Sequence, residues 1–442
     1  MKPFAALIVA FALVMAMPLA AQDVPAVIDG SGTNRIQVVS DFEFSTAVSG
    51  SARVVLERTL ADEVTGGART VALTGPNDSS GGMELWGSAD RPLVVTITNV
   101  TTMPLSGGID IYTNASLRLA ASSSNGKPLS NSDRKGSTIT VHEGGSLVQP
   151  YDCKFGVLPH NHSIVLDGGV LKLNNGRTPT SISAKLASIV INDLTFKNGG
   201  RFENGRPYVG LSAGGTWRVN GSSAVSCPEG VTVSGYSYLA TGDINFTLSV
   251  DDVTNDDAAD FSIGVLRRPG SNDNYQANKP SNMVTQSNKV VVVKAGAGTL
   301  EFAGSNTYVG PTQLNDGTLR LGVTKCLDYS YMLNMNGGSL VACANTTNVI
   351  KKLKVSKDGG IALEGGALLT VNAIDSWSSG KTITVDVPNG AKRLRFASKT
   401  GDPVVLTEAQ LDAIRTADGR RVMQDEEGWV RPRSSGVILI VM

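Results

Sequence analysis

The chain has 442 residues, with 39 Lys+Arg balanced by 39 Asp+Glu, 49 glycines, four cysteines and 5% aromatics. A formal net charge of zero removes the electrostatic basis for binding nucleic acid or an anionic membrane. The length exceeds what one compact core organises, and a glycine-rich, aromatic-poor composition suits many short strands joined by tight turns. A solenoid escapes the size limit because each coil packs only on its neighbours.

Residues 1–21 read as a secretory signal peptide: Lys2, an apolar core from Phe4 to Met17, then small Ala20 and Ala21 before Gln22 and Asp23. The apolar run is shorter than the ~20 residues of a spanning helix, so the mature chain is expected to carry no transmembrane anchor. Residues 22–104 are expected to form a β-rich N-terminal cap over the exposed strand edge of a solenoid. Strands are expected at Arg35-Ile36-Gln37-Val38-Val39 and Leu93-Val94-Val95-Thr96-Ile97-Thr98. One short helix is expected where Leu56, Leu60 and Val64 recur at i, i+4, i+8.

From 105 to 266 a Gly-x-aliphatic theme recurs irregularly, as in Gly144-Gly145-Ser146-Leu147, Gly168-Gly169-Val170-Leu171 and Gly214-Gly215-Thr216-Trp217. Solenoid coils with loops of varying length are the expectation, with an ordinary β-sandwich as the alternative. Residues 267–289, with Pro269 and Pro280 and almost no apolar content, read as a loop or linker.

From 290 to 396 the pattern becomes regular. Gly298-Thr299-Leu300 and Gly317-Thr318-Leu319 stand nineteen residues apart. After each, Leu300 and Phe302, then Leu319 and Leu321, alternate with polar residues at the period of a half-buried strand. Gly304-Ser305-Asn306 and Asn315-Asp316-Gly317 are residue types that accept the positive φ of tight turns. Leu300, Leu319, Leu340 and Ile361 follow at spacings of 19, 21 and 21 residues. Such spacing predicts one aliphatic stacked on the next at about 4.8 Å per coil.

This stretch resembles the autotransporter-associated β-strand repeat. The matching residues are Gly296, Gly298, Thr299, Leu300, Gly304, Asn306, Thr307, Tyr308, Gly310, Thr312, Leu314, Gly317, Thr318 and Leu319. The resemblance implies an all-β, right-handed parallel β-helix that is exported and displayed or released at the cell surface. It implies no catalytic residues and no cofactor, because the motif is architectural. A self-secreting relative would also carry a C-terminal membrane barrel. The 120 residues after Gly322 lack the required series of amphipathic spans, which leaves periplasmic retention as an alternative destination.

The last segment, 397–442, is expected to cap the solenoid with a helix and a hairpin. Thr407-Glu408-Ala409-Gln410 is a capping box, which predicts a helix over 407–417. Arg421-Val422-Met423 and Trp429-Val430-Arg431 predict the hairpin, and Val437-Ile438-Leu439-Ile440-Val441 a final strand.

Few residues point to chemistry. Cys153, Cys227, Cys326 and Cys343 lie in the exported part, where an even count favours disulfides. Cys326 and Cys343 fall within one coil of each other, and no C-x-x-C marks a metal site. His160 and His162 share one side of an extended segment, with only His142 elsewhere, and a surface loop is the expected setting. Asp251, Asp252, Asp256, Asp257 and Asp260 form the densest acidic cluster, expected as a solvated loop. Its alternatives are a calcium site or the acid/base pair of a polysaccharide-cleaving enzyme. The reading is an exported, non-enzymatic β-solenoid, structural or adhesin-like, whose surface ligand is a glycan or protein. A polysaccharide lyase or hydrolase, or a calcium-dependent binding module, stands as the alternative.

Overall fold

Alternating apolar and polar residues make strands that bury one face, and in this protein the buried positions line up from coil to coil. A computed structural model describes residues 27–58, 67–97, 107–119, 137–149, 163–173, 193–203, 208–211, 215–228, 230–235, 244–267, 290–386 and 392–433. The expected signal peptide, the expected loop at 267–289 apart from Arg267, which ends the strand Leu266–Arg267, and the expected final strand at 437–441 lie outside the described residues.

Fourteen strands form one sheet, from Ser31–Gln37 through Ile374–Trp377. A second face is carried by a seven-stranded sheet and then an eight-stranded one, the latter running from Val225–Cys227 to Ile414–Thr416. Smaller sheets of three and five strands add a third face in the second half. Neighbours in each sheet come from successive coils, and the fold is a parallel β-helix. The described strands of 105–266 belong to it: they pair in parallel, whereas a sandwich is built from antiparallel ones.

One inward row of the long sheet shows how the core is made. Val54, Met83, Ile109, Ile139, Ile164, Leu194, Trp217 and Leu248 sit directly opposite one another in sequence order. Lys294, Leu314, Met335 and Val355 continue the row. On the second face, Phe261, Leu300, Leu319, Leu340, Ile361 and Val385 form the matching row, all buried. Beside it run Phe302, Leu321, Ala342 and Leu363. Where the third face opens, the interior is filled by rings. Phe196 meets Phe202 edge-on at 5.2 Å, and Trp217 meets Phe246 at 5.4 Å.

The corners need glycine for two reasons. Gly317 has φ +62°, and a Cβ there would lie 2.4 Å from the carbonyl oxygens of Gly296 and Gly298 in the coil above. Asn306, expected at a turn needing positive φ, serves differently. It is buried, its Oδ1 accepts from Leu266 N at 2.7 Å, and its Nδ2 donates to the Cys326 carbonyl at 3.0 Å. One side chain thereby satisfies backbone groups of the coils on either side.

Three expectations are corrected. Leu56, assigned to a helix with Leu60 and Val64, lies in the strand Ser51–Glu57; Leu60 and Val64 lie outside the described residues. Its i, i+4 relation is incidental, because Val54 and Leu56 alternate inward as strand residues. The described strands of 22–104, the stretch expected as an N-terminal cap, are laddered into the same faces as the coils after them. The C-terminal helix spans Glu408–Ala413 rather than 407–417. Its capping box is formed, with Gln410 N donating to Thr407 Oγ1 at 3.2 Å and Thr407 N to Gln410 Oε1 at 2.9 Å. It stops early because Ile414–Thr416 joins the parallel ladder beside Ile383–Asp386. Val422–Gln424 and Trp429–Pro432 then form the expected hairpin. It pairs antiparallel to Leu394–Phe396, and so ends the parallel run.

Lys294 is the one charged member of its row and is buried. Its Nζ donates to the carbonyls of Ala295 at 2.9 Å, Gly296 at 2.6 Å and Asp316 at 3.1 Å. Burial lowers its pKa to about 8, against the opposing pull of Asp316, Asp260 and Asp251. Above that value the folded chain holds the amine neutral, while the unfolded chain keeps it charged toward its ordinary value of 10.5. The unfolded state then binds more protons, so this group makes stability rise with pH across that window. Denaturant titrations at about pH 7 and about pH 10 should show the wild type gaining stability relative to Lys294→Met; parallel behaviour of the two would contradict the assignment. Separately, Leu319→Ala should cost about 2–5 kcal/mol through the cavity it leaves, and an unchanged melting midpoint would count against the stacked row.

Candidate outer-face site

The inward rows decide what faces outward. With Met83, Leu85, Ile109, Ile111, Ile139 and Val141 buried, the period of two places Glu84, Trp86, Asp110, Tyr112, Thr140 and His142 on the outer face of the long sheet. Successive coils then bring three flat side chains into register. The Trp86 and Tyr112 rings stack at 3.7 Å and 10°, and Tyr112 and His142 at 4.3 Å and 6°. The rung spacing of a parallel sheet nearly matches ring-stacking distance.

A charged row runs beside the rings. Arg53 Nη2 lies 2.8 Å from Glu84 Oε1 and 3.2 Å from Asp110 Oδ2. Trp86 Nε1 donates to Glu84 Oε2 at 2.9 Å, and His142 Nε2 lies 3.2 Å from Asp110 Oδ1. Burial, then the carboxylates of Asp110 and Glu84, raise the Tyr112 pKa. These groups are half-exposed, so each pair adds little to stability; together they fix the ring orientations. The site therefore presents ring edges, a phenol and two oriented carboxylates in a line along the solenoid, a surface able to hydrogen-bond a polar ligand.

The corner after this row opens into a groove of about 610 Å³. Its small floor residues include Gly144, Gly168, Ser116 and Ser146, whose two hydroxyls lie 2.7 Å apart. Arg201 and Glu203, paired at 2.9 Å, line it as well. Because the same corner recurs in successive coils, the groove follows the solenoid axis.

The acidic cluster turns out differently from a ligand set. Asp260 is buried and accepts through Oδ1 from Val253 N, Thr254 N and Thr254 Oγ1, each at 2.9 Å, and through Oδ2 from Thr299 N at 2.7 Å. It braces the corner that leads into Gly298-Thr299-Leu300. Asp252 and Asp256 accept from Asn255 N and Ala258 N within their own exposed loop, where Asp251 and Asp257 are also exposed. No group of three or more His, Cys, Asp or Glu is placed to hold a metal among the described residues.

Cys326 and Cys343 are free, buried thiols, which corrects their expected disulfide; Cys227 is buried, and Cys153 lies outside the described residues. Cys326 Sγ donates to the carbonyls of Val323 at 3.1 Å and Phe302 at 3.3 Å. Burial pushes its thiol up to about 12, which leaves it unreactive. His160 and His162 also lie outside the described residues. His142, which sequence spacing did not single out, is the one histidine among the described residues, and it closes the ring stack.

Residues 292–321 match the sequence profile of the passenger-associated-transport-repeat. No curated protein and no solved structure matches the chain. The matched segment is the part of the solenoid where Leu300 stacks on Leu319 and Asn306 bridges coils. There too, Tyr308 Oη meets Thr312 Oγ1 at 2.6 Å inside the core. The chain thus carries an autotransporter-associated repeat, which suggests a passenger-type, exported protein. No helix among the described residues is long and apolar enough to cross a membrane.

Tyr112→Ala removes both ring contacts at once. It should cost about 1–3 kcal/mol, taking about 0.5–1.5 for each aromatic pair, and should diminish the near-ultraviolet circular dichroism of Trp86. An unaltered spectrum would show that the rings are not stacked in solution.

Proposed function

We propose that the mature chain is an exported, non-enzymatic β-solenoid that acts as a structural or adhesive element at the cell surface or in the extracellular space. The observation that carries this reading is the single ladder of fourteen strands. Such a ladder is stiff, because each coil is tied to the next by backbone hydrogen bonds and a shared core. It displays outward side chains in straight rows, so weak contacts along one face add into useful avidity. The passenger-type repeat supports export, and the ring-and-carboxylate row with its neighbouring groove supplies a polar face for contact.

The test uses cells that produce the full chain. Protease added to intact cells should degrade it while a cytoplasmic marker survives. Protection in intact cells with degradation after outer-membrane permeabilisation would place the chain in the periplasm and contradict surface display. Protection in both would contradict export itself.

A further inference from the structure

Among the described residues, several large aromatic side chains fill the interior: Trp217, Phe196, Phe246, Phe261 and Phe302 are fully buried. Tyr329 and Tyr331 depart from that pattern at 52% and 51% exposure. They flank Ser330, which is buried and firmly held. Ser330 Oγ lies 2.9 Å from Thr312 Oγ1 and donates to the Gly310 carbonyl at 3.0 Å, and Thr312 is in turn bonded to Tyr308. The two phenols are therefore displayed from an anchored turn.

The next coil brings positive charge to them. Leu353 occupies a core position opposite Leu333, so its neighbours Lys352 and Lys354 point away from the core. Lys352 Nζ lies 4.8 Å from the centre of the Tyr331 ring and donates to its hydroxyl at 2.9 Å. Lys351 Nζ lies 5.9 Å from the centre of the Tyr329 ring and donates to the Tyr329 carbonyl at 3.1 Å. Lys351, Lys352, Lys354 and Lys357 fall within seven residues. Three carboxylates stand close by: Asp358, next to Lys357 in sequence and 3.6 Å from Lys381, Asp375, 3.7 Å from Lys352, and Asp328, whose Oδ1 accepts from Val349 N at 3.3 Å. In a chain of zero net charge, this coil is a local concentration of positive charge beside exposed rings.

We propose that Tyr329, Tyr331, Lys351 and Lys352 form a binding site for an acidic polysaccharide, a deepening of the surface role proposed above. The phenol rings offer flat apolar surface with a hydrogen-bonding tip, which suits the C–H face and hydroxyls of a sugar. The ammonium groups supply the counter-charge for carboxylates or sulfates along the polymer. Lysine is a flexible point charge, suited to anions whose positions vary, whereas planar bidentate recognition of phosphate favours arginine. That choice of cation, with the exported setting, favours an acidic glycan over a nucleic acid.

The experiment takes purified chain from Gln22 to Met442 and measures binding to polygalacturonate and heparin, with dextran as the neutral control and oligo-dT as the phosphate polymer. Binding to at least one acidic glycan, weakening as salt rises and absent for dextran, is expected. The Tyr329→Ala/Tyr331→Ala and Lys351→Gln/Lys352→Gln double variants should each bind at least about tenfold more weakly, as loss of a central anchor does, with melting midpoints unchanged. Binding to neither acidic glycan, equal binding to dextran, tighter binding to oligo-dT, or full binding by well-folded double variants would each overturn the proposal. The outcome is separable from the surface-display test: purified chain that binds glycan but is protease-protected on cells keeps this site and loses surface placement.

Discussion

Everything in this protein depends on the register of one coil upon the next. Parallel strands fix neighbouring backbones about 4.8 Å apart, so a residue's environment is set by the residue one coil above and one coil below. Leu319 is buried because Leu300 and Leu340 sit opposite it. Shifting a strand by one residue would turn its whole apolar set outward. The bridging side chains serve the same constraint. Asn306 and Asp260 each take up backbone N–H groups that the corners would otherwise leave unpaired.

The same register builds the outer surface. Trp86, Tyr112 and His142 become a stack only because Met83, Ile109 and Ile139 are aligned one face below. Arg53 can hold Glu84 and Asp110 together because those carboxylates occupy adjacent rungs. A parallel β-helix thus converts residues distant in sequence into straight functional rows, without a dedicated pocket. Glycine corners permit the close approach of coils, and wherever loops leave those corners the outer face gains variation without disturbing the interior.

The second half of the fold was legible in the sequence because its coils are short and nearly equal. The 19, 21 and 21-residue spacings from Leu300 to Ile361 map directly onto observed partners. Upstream, excursions of unequal length separate partners such as Ile139, Ile164 and Leu194, so no fixed period betrays the register. The ring stack was hidden for that reason: each ring lies in a different coil, and none neighbours another in sequence. Leu56 misled because helical and strand spacings coincide over so few residues. Lys294 was hidden behind four valines, where a lysine looks like the polar end of a strand rather than an interior rung. Asp260 looked like part of a solvated cluster, and only the fold shows its carboxylate turned inward onto Thr299.

One ladder organises the coils from Ser31 to Trp377 among the described residues, and small-angle scattering from residues 22–442 tests it. Fourteen strands at ~4.8 Å per step make a rod of at least about 60 Å. A maximum dimension beyond that length, with a narrow, uniform cross-section, is expected. A compact particle of nearly equal dimensions would contradict it.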